Sequence, residues 1–180
     1  MLLDRTRSLL LVIDVQERLA PAIAEGGARI ARTRLLLEGA GHLEVPVVVT
    51  EQYPKGLGPT VADLRPLPEG SRLFEKITFS AMREAAVADH LAARGREQIV
   101  LCGMESHVCV LQTALDLLAR GYRVFVVADA CGSRRPQSHE LALARLRQEG
   151  ARAVNVEMVL FEWLERAGSD LFRTVSRLIR

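Results

Sequence analysis

The run Ile99–Leu118, IVLCGMESHVCVLQTALDLL, places a cysteine where a nucleophile would be made. Ile99, Val100, Leu101 and Cys102 form a short apolar stretch of the kind a doubly covered parallel strand shows, and Gly103 interrupts it. Ser106 stands at an N-cap position, after which Val108, Leu111, Leu115 and Leu118 recur at helical spacing. Cys109 is therefore expected in the first turn of a helix that leaves the carboxyl end of a strand. Unpaired amides and the positive end of the helix dipole favour an anion there, which would shift a thiol toward thiolate. The same amides suit the negative oxygen of a tetrahedral intermediate. The competing reading is the commoner fate of a cysteine, a small buried residue packing a helix start.

Asp14, Glu51, Lys76 and Asp129 share this placement, each at or just past the end of a candidate strand. A carboxylate there is often only a turn or cap residue, so none is compelling singly. Their convergence on one edge is the stronger signal.

The elements that would position these groups alternate along the chain. Ser8–Ile13 is a near-continuous apolar run, followed by helical periodicity over Ala28–Glu44 and a β-branched run at Val47–Thr50. Tyr53–Pro59, with two prolines and two glycines, is expected to be loop. Arg72–Lys76 reads as a short strand and Arg83–Arg94, closed by Gly95, as a helix. After the opening strand and helix come a strand at Arg123–Ala128, a helix at Ser138–Gln148, a strand at Arg152–Val156 and helices near 157–166 and 170–179. Strands too apolar to face water, alternating with helices, imply a parallel sheet covered on both faces, and nothing divides residues 1–180 into more than one domain. Ligands bind such sheets at the carboxyl ends of the strands.

Composition narrows the function classes. With 24 basic and 22 acidic residues the net charge is +2, too small to imply nucleic acid or an anionic membrane as partner. Aromatic residues are only 4% of the chain, which argues against base-stacking platforms. Three cysteines, an odd number, fit a reducing interior better than a disulfide framework. Leu9–Ile13 is far too short to span a bilayer and has no signal-peptide pattern around it, so a cytoplasmic protein is expected. Cys102, His107 and Cys109 match no usual zinc spacing, and no GxGxxG follows the first strand.

Several strings, in order along essentially the whole chain, resemble the isochorismatase-like cysteine hydrolases. They are LLLVIDVQ at 9–16, FEKITFSA at 74–81 and GMESHVCVLQTALDLL at 103–118. TEQYPKGLGPT at 50–60 and VADAC at 127–131 are especially similar to the isochorismatase-domain-containing subgroup. The resemblance implies a three-layer Rossmann-like α/β fold, its six-stranded, mostly parallel sheet ordered 3-2-1-4-5-6. It implies a triad of Asp14, Lys76 and Cys109, an oxyanion hole from the Glu105 and Cys109 amides, a cis peptide at Met104–Glu105, and a homo-oligomer. Where the nicotinamidase branch carries an aspartate–x–histidine metal run, this chain has Glu51-Gln52-Tyr53-Pro54, which implies no bound zinc or iron and no other cofactor. True isochorismatases work without this cysteine, so Cys109 argues against vinyl-ether hydrolysis.

The expectation is a metal-independent hydrolase that cleaves a small amide-type C–N or ester bond through an acyl-cysteine. Gln16, Tyr53, Phe79 and His107 are candidate walls for a small-molecule substrate. Cys102 and Cys131 read as structural, Cys131 in a loop, and Arg134-Arg135 as a solvated loop pair. Two other readings stand beside it: a thiol that responds to oxidants, and a non-catalytic oligomeric protein keeping the fold. The helix near the end offers Leu171, Val175 and Leu178 as an apolar stripe, for an interface or for its own core.

Overall fold

The computed structural model describes residues 1–179. Six parallel strands run β1 (Ser8–Ile13), β2 (Val47–Gln52), β3 (Arg72–Lys76), β4 (Gln98–Met104), β5 (Arg123–Gly132) and β6 (Arg152–Val154). Their order across the sheet is β3-β2-β1-β4-β5-β6. Residues 9–13 of β1 and 99–102 of β4 are completely buried, which explains their unbroken apolar runs: both faces of a central parallel strand are covered by helices.

The helices are α1 (Gly26–His42), α2 (Pro54–Leu57), α3 (Ala85–Arg94), α4 (Leu111–Ala119), α5 (Pro136–Gln148), α6 (Val156–Leu164) and α7 (Asp170–Leu178). α1, α6 and α7 pack together, while α4 joins α5 and, through the turn at 81–83, α3. The stripe on α7 is used internally: Val175 is fully buried and Leu171 lies against the core. No described helix is long and apolar enough to cross a membrane.

Several local expectations need correction. The segment after β2 contains a helical turn, α2, because Pro54 occupies its first position, where a missing N–H is harmless. Gly103 does not end β4. It sits at φ +124°, where a side chain would collide with the Ile13 carbonyl, so its lack of a Cβ lets β1 and β4 stay paired at their carboxyl ends. Strand β5 runs four residues past Ala128, and thus contains both Asp129 and Cys131. The ladder explains this: Leu101 pairs with Val126 but Gly103 with Cys131, so extra β5 residues bulge and pairing resumes beyond them.

Candidate active site

The end of β1 turns at Asp14, which takes a left-handed φ of 51°, a conformation aspartate tolerates. Because Ile13 is in register with Thr50 of β2, the Asp14 amide donates to the Thr50 carbonyl at 3.1 Å and its Oδ1 accepts from the Thr50 hydroxyl at 2.7 Å. One strand further out, Lys76 ends β3 in register with Gln52. Its Nζ lies 2.8 Å from Asp14 Oδ2. The same ammonium donates to Gln52 Oε1 (2.6 Å), the Phe79 carbonyl (3.1 Å) and the Thr78 carbonyl (3.2 Å). Both side chains of the ion pair are 0% exposed. Lys76 is thus not a solvated strand-end lysine. It is oriented on four oxygens.

Cys109 comes to this pair from the other side. It lies in a single wide π-helical turn, Ser106–Val110, that runs directly into α4. Ser106 does not cap the helix, because its hydroxyl is engaged by His139 at 2.8 Å. The Met104–Glu105 peptide before the turn is cis.

The electrostatics reverse the local expectation for the thiol. Burial, reinforced by the Asp14 carboxylate, pushes Cys109 up to about 12, and Lys76 only partly offsets this. Helix-end charge acts over one turn, whereas desolvation acts on the whole group, so desolvation wins. Asp14 is also raised: burial outweighs the pull of Lys76, Thr50 and Cys109. The resting site therefore holds a neutral thiol beside a carboxylate of increased proton affinity. Moving the thiol proton to Asp14 relocates a negative charge next to Lys76 and creates none, which avoids the large cost of a new buried ion.

The four expected pocket residues are not brought together. Gln16 is completely buried, its amide donating to the Gln52 and Gly58 carbonyls (3.0 and 2.6 Å) and accepting from the Gln52 amide (2.8 Å). It is a brace for the segment after β2, not a pocket wall. Tyr53 lines a cleft of about 270 Å³ that reaches Lys76, with Lys55, Glu75, Ile77 and Glu84. Phe79 contributes its carbonyl to Lys76 but leaves its ring exposed. His107 faces a separate cleft of about 360 Å³ with Arg134, Arg135 and Ser138.

Other strand-end groups have structural partners. Glu51 accepts from the Thr60 amide and hydroxyl (2.6 and 2.7 Å) and from Arg65 at 3.1 Å. Asp129 accepts from the Val156 amide at 3.0 Å. Cys102 and Cys131 are fully buried in the sheet. Arg134 is the solvated loop cation expected, its side chain largely exposed, but it also pairs with Glu105 at 3.0 Å. Thr50 and Gln52, which hold Asp14 and Lys76, carry no local signal in the sequence; only the register of β1, β2 and β3 makes their role visible.

A parallel sheet in this strand order, with Asp14, Lys76 and Cys109 gathered at its carboxyl edge, places the chain in the isochorismatase-like fold of the Rossmann-like α/β class. The chain belongs to the isochorismatase family, whose Isochorismatase domain model matches residues 8–158. It is 39% identical over 174 residues to isochorismatase domain-containing protein 2A of Mus musculus, covering 96% of this chain and 82% of that protein. The structure of MAR1 ribonuclease from Caenorhabditis elegans superposes with a TM-score of 0.94 at 38% identity, covering 99% of this chain and 92% of that one. At the level of fold alone, the Escherichia coli YcaC gene product, described as an octameric hydrolase of unknown specificity, gives a TM-score of 0.90 at 23% identity, covering 99% and 87%.

Proposed function

We propose that the protein is a metal-independent cysteine hydrolase acting on a small amide-type C–N or ester bond. The observation that supports this best is the fully buried Asp14–Lys76 ion pair set against the Cys109 thiol. Asp14 takes the thiol proton as Sγ forms a bond to the carbonyl carbon, and the carbonyl π electrons move to oxygen. The Glu105 and Cys109 amides hold that oxyanion. On collapse the C–N or C–O bond breaks, and the leaving amine or alcohol takes the proton from Asp14. Water then attacks the acyl-cysteine and gives its proton to Asp14. Collapse of the second intermediate releases a carboxylic acid, and Asp14 returns the proton to Cys109. Throughout, Lys76 neutralises whichever of the two partners is anionic.

The reading includes a cytoplasmic homo-oligomer with a small-molecule substrate and no nucleic acid or membrane partner. Incubating the protein with a panel of small amides and esters, then measuring intact mass, tests it: an acyl adduct on Cys109, absent from Cys109→Ala, is expected. A sulfenic acid or disulfide without turnover would favour the oxidant-responsive reading. Because the Caenorhabditis elegans relative is described as a ribonuclease, the panel includes an RNA oligonucleotide. RNA cleavage that survives Cys109→Ala would refute the proposal.

A further inference from the structure

We propose that the segment 133–139, from the end of β5 into the first turn of α5, is a clamp that positions the nucleophile turn through Glu105, Ser106 and His107. This rests on the reading of Cys109 as nucleophile. Three consecutive side chains before Cys109 each reach across to this one segment. The Glu105 carboxylate accepts from both the amide and Nε of Arg134, at 2.9 and 3.0 Å. Ser106 Oγ meets His139 Nδ1 at 2.8 Å, and His107 Nδ1 meets Ser133 Oγ at 3.0 Å. Ser106 and Ser133 are both 1% exposed. The clamp is itself anchored, since the Ser133 carbonyl accepts from the Ala24 amide at 3.1 Å.

The turn needs such a clamp. A π turn is wider than an α turn, and this one closes from the Val110 amide to the Glu105 carbonyl at 3.2 Å without a side-chain cap. Its placement is therefore not dictated by ordinary helix capping. The bulged ladder supplies the partner: by resuming at Gly103–Cys131 and running on to Met104–Gly132, it lays residues 133–139 beside residues 105–107. Cys109 then stands between the clamp on the β5 side and Asp14 and Lys76, from β1 and β3, on the other. Those two are the charged groups that act on the thiol.

His139 suits its role. Burial, helped by Arg29 and opposed by Glu140 and Glu25, keeps its pKa below the usual range, so the imidazole is neutral. A neutral ring protonated on Nε2 leaves Nδ1 to accept the Ser106 hydroxyl proton. What the clamp opposes is the tendency of a desolvated thiol to move toward water, since burial is the largest cause of its raised pKa. Glu105, Ser106, His107, Ser133, Arg134 and His139 are positioning residues; none is assigned a chemical step through its side chain.

The test reads iodoacetamide alkylation of Cys109 against pH in the full chain, by peptide mapping. Wild type should show a midpoint well above that of a free cysteine. His139→Ala and Ser106→Ala should shift that midpoint down by a unit or more, which speeds alkylation near pH 8 about tenfold. Hydrolysis should fall in the same variants. His139→Asn, which keeps an acceptor near the Nδ1 position, should restore both. Where a buried variant does not fold, Arg134→Gln, at a side chain 62% exposed, is read in its place. Folded variants with lowered melting temperature but an unmoved alkylation profile would overturn the clamp and leave the proposed function standing. Shifted profiles together with hydrolysis by Cys109→Ala would overturn the nucleophile instead.

Discussion

Replacing Lys76 with Met removes a cation from a site where both members of the ion pair are 0% exposed. The Thr78 and Phe79 carbonyls, which also receive its protons, lie on partly and well exposed residues and can turn to water. The Asp14 carboxylate cannot, and keeps only the Thr50 hydroxyl and whatever Cys109 offers. Breaking a buried pair in this way costs about 3–5 kcal/mol. At about 2–4 °C per kcal/mol for a chain of this size, melting should fall by about 6–20 °C at pH 8.

The loss should depend on pH, with a determinate sign. The folded pKa of Asp14 already lies above its ordinary value, so this group contributes stability that is present below the unfolded pKa and lost as pH rises through the folded one. Without Lys76 the folded pKa rises further, because the main opposing charge is gone. Wild type and Lys76→Met should therefore lie closer together at pH 5 than at pH 8, because the variant's Asp14 takes up its proton more readily as the pH falls. Adding Asp14→Asn to Lys76→Met removes the stranded charge and should recover most of the loss at pH 8. Calorimetry or circular dichroism melts at the two pH values measure all of this. A Lys76→Met protein within about 1 kcal/mol of wild type at pH 8 would refute the buried-pair account, since that is the range of an exposed pair.

Asp14→Asn alone should abolish turnover, because it removes the proton acceptor, yet leave a thiol that still alkylates. Since the Asp14 charge helps raise the thiol pKa, the alkylation midpoint of that variant should fall below about 12; an upward shift would contradict the proposed contact. Hydrolysis, once a substrate is in hand, should survive exhaustive chelation, and recovery only on adding zinc would defeat the metal-free mechanism. Gly103→Ala should destabilise the protein by more than about 3 kcal/mol in urea unfolding, as expected where a side chain meets backbone at positive φ. A near-neutral result would mean that β1 and β4 can separate at little cost.

Much of this molecule is legible in one dimension because its central strands are covered on both faces. Continuous burial imposes continuous apolar runs, so β1, β2 and β4 announce themselves and Asp14 stands where β1 ends, whereas Lys76, at the end of the mostly exposed β3, was singled out by the resemblance. The alternation of strands with amphipathic helices likewise implied a covered parallel sheet, and the strand order followed from resemblance. What tertiary structure alone decided is whatever depends on groups distant in sequence. Asp129 reads as the end of a strand, yet β5 continues through it to Gly132 because the β4 ladder carries it past the bulge. Gln16 looks like a pocket residue until its backbone partners, 36 and 42 positions away, are known. The sign of the Cys109 shift turned for the same reason. A helix start is a local feature and pointed toward thiolate, but burial by the whole fold and a carboxylate from β1 outweigh it. The partners of Glu105, Ser106 and His107 lie 26 to 33 residues further along, so no local spacing could disclose what holds the nucleophile in place.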